Sequence, residues 1–192
     1  MTDERLIRAV AWRRLDVLGT EVCRLSSRDD GEWEIDGSAV VLLDGDLVSA
    51  RYAVRVDERF VTREAWTVRT SRDDEASRSL DAADGRWRTA DVDVPELKGC
   101  VDVDLGFTPA TNTLPIRRLG LNVGESAEID AAWIRFPELT VERLPQRYTR
   151  IAADRYRYES RDSGFTAELE VDDEGLVVAY EDLWERVGSV DG

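Results

Sequence analysis

Two aspartates, Asp102 and Asp104, stand two residues apart in a short apolar run. Successive side chains of a β-strand leave opposite faces of the sheet, so these two carboxyl groups are expected on the same face and close together. Paired carboxylates can cleave glycosides or bind Ca²⁺ or Mg²⁺. A structural role is the alternative, because buried carboxylates need partners such as Arg117, Arg118 or the backbone amides of residues 111–113. We favour the structural role, since a D-x-D pattern is common in proteins.

Aromatic and polar side chains form a second candidate set. Tryptophan and tyrosine stack on sugar rings and line apolar pockets with a polar edge, although most of them are expected to pack in the core. Arg117 and Arg118 could hold a phosphate or carboxylate headgroup, and an ion pair with the acidic strand is the alternative. The predicted ligand-binding residues are Asp102, Asp104, Asn112, Arg117, Arg118, Trp133, Tyr148 and Tyr156.

The chain of 192 residues contains no histidine, which removes the most common catalytic base. Ser-His-Asp and Cys-His arrangements and His-bound zinc are therefore excluded. Dinucleotide, P-loop and HExxH signatures are also missing. We therefore predict a non-enzymatic protein with no catalytic residues, no metal site and no cofactor.

The composition is strongly acidic, with 26 basic and 41 acidic residues and a net charge of −15. Such a surface repels phosphate backbones, so we expect no nucleic acid partner. Only one basic residue, Lys98, is a lysine. A halophilic adaptation to a salt-rich cytoplasm and the codon usage of a GC-rich genome both account for this bias.

The first residues, Met1 to Val10, lack the apolar core of a signal peptide. Nowhere does the sequence approach the ~18–20 apolar residues that a membrane span requires. We therefore expect a cytoplasmic protein without stable membrane insertion. Cys23 and Cys100 are far apart in sequence and are expected to be buried thiols, with a disulfide as the alternative.

Alternation with a period of two residues predicts half-buried β-strands along most of the chain. Asp-Gly pairs tolerate the positive φ angles of tight hairpin turns, so they mark predicted strand reversals. The predicted turns are Asp30-Gly31, Asp36-Gly37, Asp44-Gly45, Asp84-Gly85 and Asp173-Glu174-Gly175. The side chains predicted to share the inner face are Tyr52, Val54 and Val56, then Trp66 and Val68, Tyr156 and Tyr158, and Leu169 and Val171.

One segment departs from the strand pattern. Residues 111–120 begin with polar capping candidates, continue through Pro115 and end at Gly120. Proline suits the first turn of a helix and glycine suits the position after its last turn. The pattern predicts one short internal helix at about residues 112–120, buried by its apolar residues and held in place by tertiary packing. The whole chain, 1–192, reads as one mostly β domain with no linker.

Several motifs resemble a family named for glycolipid binding. They are GCVDVD (99–104), TNTLPIRRL (111–119), AWIRFPEL (132–139), QRY (146–148), YRY (156–158) and GLV (175–177), with upstream support from Trp12, Glu21, Tyr52 and Thr62-Arg63. The resemblance implies a spiral β-roll, a long antiparallel sheet curled around the short central helix. It also implies a homodimer, and it implies no catalytic residues.

Three functional hypotheses follow. The first is a protein that binds a glycolipid, or another amphipathic small molecule, in an apolar pocket inside the rolled sheet. The second is a hydrolase for glycosides or esters that works through Asp102 and Asp104 without histidine. The third is a dimeric scaffold with no small-molecule site.

Overall fold

The computed structural model describes residues 4–192 as one long curled sheet with a short helix inside. Residues 1–3, the start of the predicted domain and of the Met1 to Val10 segment, lie outside this range. The strands are β1 Glu4–Arg14, β2 Gly19–Arg28, β3 Trp33–Leu43, β4 Asp46–Val56, β5 Thr62–Thr70, β6 Glu75–Ala83, β7 Arg86–Thr89, β8 Val92–Asp93, β9 Asp102–Leu105, β10 Ser126–Ile134, β11 Val141–Ala152, β12 Arg155–Ser160, β13 Thr166–Val171, β14 Val177–Tyr180 and β15 Trp184–Asp191.

The order of strands across the sheet is β8-β7-β6-β5-β4-β3-β2-β1-β15-β14-β13-β12-β11-β10-β9. Neighbours are antiparallel except β9 and β10, which are parallel. The edge at β9 returns to β5, the fourth strand from the opposite edge, where the Thr62 backbone amide donates to the Val101 carbonyl at 3.2 Å. The Thr62 hydroxyl also accepts from the Val103 amide at 3.2 Å. The sheet is therefore wound back on itself, which confirms the predicted roll.

Hairpin turns fall at four of the five predicted positions. Asp44 and Gly45 have φ of 49° and 83°, the positive values that a tight two-residue turn requires. The prediction of a turn at Asp36-Gly37 was wrong, because both residues lie inside β3. Gly37 pairs with Tyr52 of β4, and a Cβ atom added there would lie 2.6 Å from the Tyr52 hydroxyl. The glycine therefore makes room for a buried ring instead of a chain reversal.

Strand alternation is confirmed for β4, β12 and β13, whose predicted inner residues are buried. For β5 the predicted face was wrong: Ala65 and Thr67 point into the core and Trp66 points outward. Register explains the reversal, because Thr67 pairs with the buried Tyr52 and Ala65 with the buried Val54. A period of two residues separates the two faces of a strand but does not say which one is buried.

Helix α1 spans Thr113–Leu119 and confirms the predicted helix. A 3₁₀ turn at Ala110–Asn112 leads into it, and Gly120 ends it in the left-handed conformation at φ 54°. Leu114 is fully buried, and the Thr113 hydroxyl donates to the Gly175 carbonyl at 3.0 Å. The helix is thus tied to the opposite wall of the roll.

Large buried side chains fill the interior around α1, among them Trp12, Trp87, Tyr52 and Tyr148. Cys23 and Cys100 are buried free thiols, as the first interpretation predicted, and the alternative of a disulfide was wrong. No helix within residues 4–192 is long and apolar enough to cross a membrane.

Candidate functional site

A cleft of about 380 Å³ opens at one end of the roll. It lies where β1, β9, β10 and β12 end and where β11, β13 and β15 begin. Because strand ends and turns form its rim, the cleft is half open to solvent and reaches down to side chains on the inner face of the sheet. Its lining combines aromatic rings with a few polar groups, and this combination is typical of ligand sites.

Asp104 is the carboxylate that reaches into the cleft from β9. Its Oδ2 atom accepts a hydrogen bond of 2.5 Å from Nε2 of Gln146 in β11. The same amide nitrogen lies 3.2 Å from the Tyr158 hydroxyl of β12. Burial raises the pKa of Asp104 to about 6, and the nearby charge of Asp102 adds to the rise. Side chains from β9, β11 and β12 thus hold one acceptor group in place.

An aromatic wall stands beside this acceptor. The rings of Tyr158 and Tyr180 have centroids 6.3 Å apart, and Phe165 lies 6.1 Å from Tyr158 and 6.5 Å from Tyr180. Tyr158 and Tyr180 are buried, whereas Phe165 is 41% exposed in the turn between β12 and β13. The wall therefore has a rigid base and an accessible outer ring.

Trp133 and Trp184 line other parts of the cleft. The Trp133 indole lies against Gly106, where an added Cβ atom would be only 2.8 Å from Nε1. The guanidinium of Arg135 lies over the Trp133 ring, 4.9 Å from its centroid. The guanidinium of Arg14 lies over the Trp184 ring at 5.4 Å. Both indoles are fixed by neighbours, so they shape the cleft as a preformed surface.

Behind the cleft lies a buried carboxylic acid, Glu21 of β2. Its Oε1 atom accepts hydrogen bonds from the Tyr52 hydroxyl at 2.5 Å and the Thr108 hydroxyl at 2.6 Å. Its Oε2 atom is buried and has no hydrogen-bond partner. Burial raises the pKa of Glu21 to about 7 against the effect of these two donors. Because Thr108 also lines the cleft, Glu21 supports the loop that forms its floor.

Three of the predicted ligand-binding residues, Asp104, Asn112 and Trp133, line the cleft. Tyr148 is buried behind them and donates to Oδ1 of Asn112 at 2.8 Å. The Asn112 amide nitrogen donates to the Pro109 carbonyl at 3.0 Å. Asn112 is thus held by protein groups on both ends of its amide.

The other four predicted residues lie outside the cleft. Asp102 is buried and forms a two-bond ion pair with Arg118, at 2.9 and 2.5 Å. Burial nevertheless raises the pKa of Asp102 above its ordinary value, although Arg118 opposes the rise. Arg117 pairs with Glu174, and the guanidinium of Arg150 lies over the buried ring of Tyr156 at 5.6 Å. The structure does not bring these four residues together with Asp104 as one site.

Three acidic residues on the outer surface come close enough to share a cation. Carboxylate oxygens of Glu4, Glu34 and Asp36 lie within 4.8 Å of one another. Arg24 already forms an ion pair with Asp36 and Arg28 with Glu34. The arginines therefore offset the charge of this cluster.

Sequence reasoning missed Gln146 and Phe165 as members of the site. Gln146 belongs to the QRY motif, which supports the family resemblance and by itself predicts no role for this residue. A signal was present, since an inner-face polar residue on a strand must find a partner. Phe165 follows a turn, and no local pattern marks it, since single exposed apolar residues are common on protein surfaces.

The fold and the cleft define a class, a curled β-sheet protein with a central helix and a half-open aromatic cleft. A family model described as "Putative glycolipid-binding" matches residues 9–186. The chain therefore belongs to this family, as the sequence motifs indicated.

Two solved structures share the fold. One is a DUF1089 family protein from Pseudomonas aeruginosa, 37% identical, which covers 88% of this chain and 92% of its own, with a TM-score of 0.78. The other is a beta-barrel-like protein of the DUF1849 domain from Brucella abortus, 9% identical, which covers 98% and 99% with a TM-score of 0.56. The second similarity concerns the fold alone. The comparison with curated proteins found no match.

Proposed function

We propose that this protein binds a glycolipid or a similar amphipathic molecule at the cleft and does not catalyse a reaction on it. The observation that carries the proposal is the joining of an exposed ring, Phe165, to a half-buried acceptor, Asp104, in one cleft. Sugars present flat apolar faces and hydroxyl donors, which match these two groups. The family description points to the same class of ligand.

The site differs from the expected apolar pocket inside the roll. Core side chains such as Trp12, Leu114 and Tyr148 occupy the interior around the helix. The cleft lies at the end of the roll and has a mixed lining. The ligand therefore enters at the end of the roll. The helix and the core side chains fill the interior.

The hydrolase hypothesis is less well supported than binding. Its two carboxylates would both have to reach the substrate, one as acid and one as base or nucleophile. Asp102 is only 1% exposed and is held by Arg118, so Asp104 alone of this pair meets the cleft. A binding role requires only this one acceptor.

Native mass spectrometry of the purified protein, with lipid extraction, tests the proposal. We expect a glycolipid to co-purify, or added glycolipid to raise the melting temperature in proportion to its concentration, because a ligand of the folded state stabilises it. A phospholipid without sugar serves as the matched control. Failure of every glycolipid to bind or stabilise the protein would contradict the proposal.

A further inference from the structure

We propose that the cleft recognises an uncharged sugar headgroup, with Asp104 as the hydrogen-bond acceptor and Phe165 as the stacking surface, while the lipid chains stay outside the protein. This inference rests on the proposed function and specifies that the protein recognises the sugar headgroup of the ligand. It also assigns a specificity role to two side chains. Four features of the described residues support it.

The first feature is the free acceptor capacity of Asp104. Gln146 holds Oδ2, and within residues 4–192 the Oδ1 atom has no protein hydrogen-bond partner. Asp104 keeps part of its surface in the cleft. An ionised carboxylate has several lone pairs, so it can accept from two neighbouring sugar hydroxyls. Gln146 and Tyr158 hold the carboxylate in one orientation before a ligand arrives.

The second feature is the charge of the lining. Its cations are Arg14 and Arg143, and its carboxylates are Asp104, Glu142 and Asp162, a net charge of 2 − 3 = −1. Both arginines are already engaged by acids outside the lining, since Arg14 pairs with Asp16 and Arg143 with Asp130. A phosphate or sulfate would meet an acidic cleft without a free cation. Hydroxyl donors suit these acceptors better.

The third feature is size. About 380 Å³ lies near the lower end of the ~300–1,000 Å³ typical of pockets for drug-sized ligands. Tyr148 closes the interior behind the lining residue Asn112, and Trp12 and Leu114 are fully buried in the core, so the cleft does not continue into a channel for long chains. A headgroup fits this volume, whereas a headgroup with its acyl chains does not.

The fourth feature is the exposed ring of Phe165. One side of this ring is supported by Tyr158 and Tyr180, and 41% of the residue remains exposed. A supported ring offers a stacking face at low cost in conformational entropy. Because Phe165 and Asp104 line the same cleft, a sugar could stack on the ring and donate its hydroxyls to the carboxylate.

The test uses soluble probes without lipid chains. Calorimetric titration at pH 8 would compare methyl glucoside, methyl galactoside and methyl mannoside with glycerol 3-phosphate. We expect at least one methyl glycoside to bind and glycerol 3-phosphate not to bind. D104N and F165A should each weaken that binding by roughly tenfold or more, since the first removes a hydrogen bond to a charged group and the second removes the stacking face.

The matched control is E159Q, which removes a carboxylate from the outer side of β12 beside Tyr158. Its affinity should stay within about twofold of the wild type, since Glu159 does not line the cleft and surface charges contribute little. Circular dichroism of every variant confirms folding. D104N is isosteric, and its side-chain oxygen can still accept from Gln146, so we expect it to fold.

A pH profile separates direct recognition from a structural role. The titratable groups that face Asp104 are Asp102, already paired with Arg118, and the tyrosines Tyr148, Tyr158 and Tyr180, and the charged Glu142, Arg143 and Asp162 line the same cleft. Burial raises the pKa of all three tyrosines, so they stay neutral near pH 6. Wild-type affinity should therefore fall as the pH drops below about 6, and D104N should lose this dependence.

Two results would overturn the inference and leave the proposed function intact. One is binding of an intact glycolipid when no methyl glycoside binds. The other is binding of glycerol 3-phosphate more tightly than of any methyl glycoside. Unchanged glycoside affinity in D104N would overturn the assigned role of Asp104. If neither glycolipids nor glycosides bind, both the inference and the proposed function fail.

Discussion

Glu21 illustrates at the scale of one residue how burial and hydrogen bonding compete. It is 1% exposed, one of its oxygens accepts two hydroxyls, and the other oxygen has no partner. Burial disfavours the ionised form more strongly than the two donors favour it, so the pKa rises to about 7. Near neutral pH this residue is therefore poised between its two protonation states.

We expect E21Q to flatten the dependence of stability on pH. The pKa of Glu21 rises from about 4.5 in the unfolded chain to about 7 in the folded protein, so the folded state binds more protons between these values. Stability from this group is present below about pH 4.5 and is lost as the pH rises through 7, by at most roughly 3 kcal/mol. Urea unfolding at pH 5 and pH 8 measures this loss.

The comparison of the wild type with E21Q shows whether Glu21 titrates in this pH range. The wild type should lose stability between pH 5 and pH 8 relative to E21Q, which has no charge to gain at this position. E170Q on the outer side of β13 is the control and should follow the wild type. Parallel pH profiles for E21Q and the wild type would show that Glu21 does not titrate in this range.

The partners of single residues were predictable only where they were close in sequence. Arg118 lies sixteen positions after Asp102, and the sequence identified it as a candidate partner. Gln146 lies 42 positions after Asp104, and only the order of β9, β10 and β11 brings the two together. Contacts that depend on strand order cannot be read from local spacing.

At the scale of elements, the ion pair between Asp102 and Arg118 connects β9 to helix α1. The two side chains are unequally exposed, at 1% for Asp102 and 17% for Arg118. A helix of seven residues is marginal alone, so its position depends on such tertiary contacts. The pair thus links the short helix to the edge of the sheet.

We expect R118A to be more destabilising than D102N. Removal of the arginine leaves a buried carboxylate without its cation, which costs about 3–5 kcal/mol. D102N leaves an arginine that can reach solvent and a neutral amide in the buried position, so its cost should be smaller, about 1–2 kcal/mol. Urea denaturation at pH 7 measures both variants.

R157A, on the exposed side of β12, is the control for loss of an arginine. The side chain of its partner Glu168 is 42% exposed, so R157A should change stability by less than about 1 kcal/mol. The opposite order, with D102N less stable than R118A, would mean that the pair does not anchor the helix through the buried carboxylate.

Elements were more predictable than their orientation. The helix at residues 113–119 was found because proline, apolar residues and a terminal glycine coincide in one short segment. The inner face of β5 was missed because Trp66, the larger side chain, points outward. Ala65 and Thr67 take the inner face, where Tyr52 and Val54 of the neighbouring strand already occupy the space. Packing across strands decided this orientation, and packing partners were unknown from the sequence.

For the whole molecule the main electrostatic question is whether a net charge of −15 destabilises the fold. Many of the acids face arginines across neighbouring strands, as Arg24 faces Asp36 and Arg143 faces Asp130. Exposed pairs of this kind contribute little, typically below 1 kcal/mol each. The unpaired excess of acids remains, and its mutual repulsion favours the unfolded chain.

Added salt should therefore raise stability. The screening length falls from about 10 Å at 0.1 M to about 3 Å at 1 M salt, which weakens long-range repulsion more than contacts between touching partners. Each kcal/mol gained raises the melting temperature by ~2–4 °C for a chain of this length. We expect a rise of at least a few degrees between 0.05 M and 1 M KCl at pH 7, measured by circular dichroism.

The same titration near pH 4.5 supplies the control, because the net charge of the chain approaches zero at its isoelectric point of about 4.5. Without excess charge, screening has little repulsion to remove, and the rise should shrink or reverse as ion pairs are weakened. An equal rise at both pH values would mean that salt acts through apolar burial instead. Full stability in 0.05 M KCl at pH 7, with no gain at 1 M, would contradict a salt-adapted surface and leave codon usage as the explanation for the scarcity of lysine.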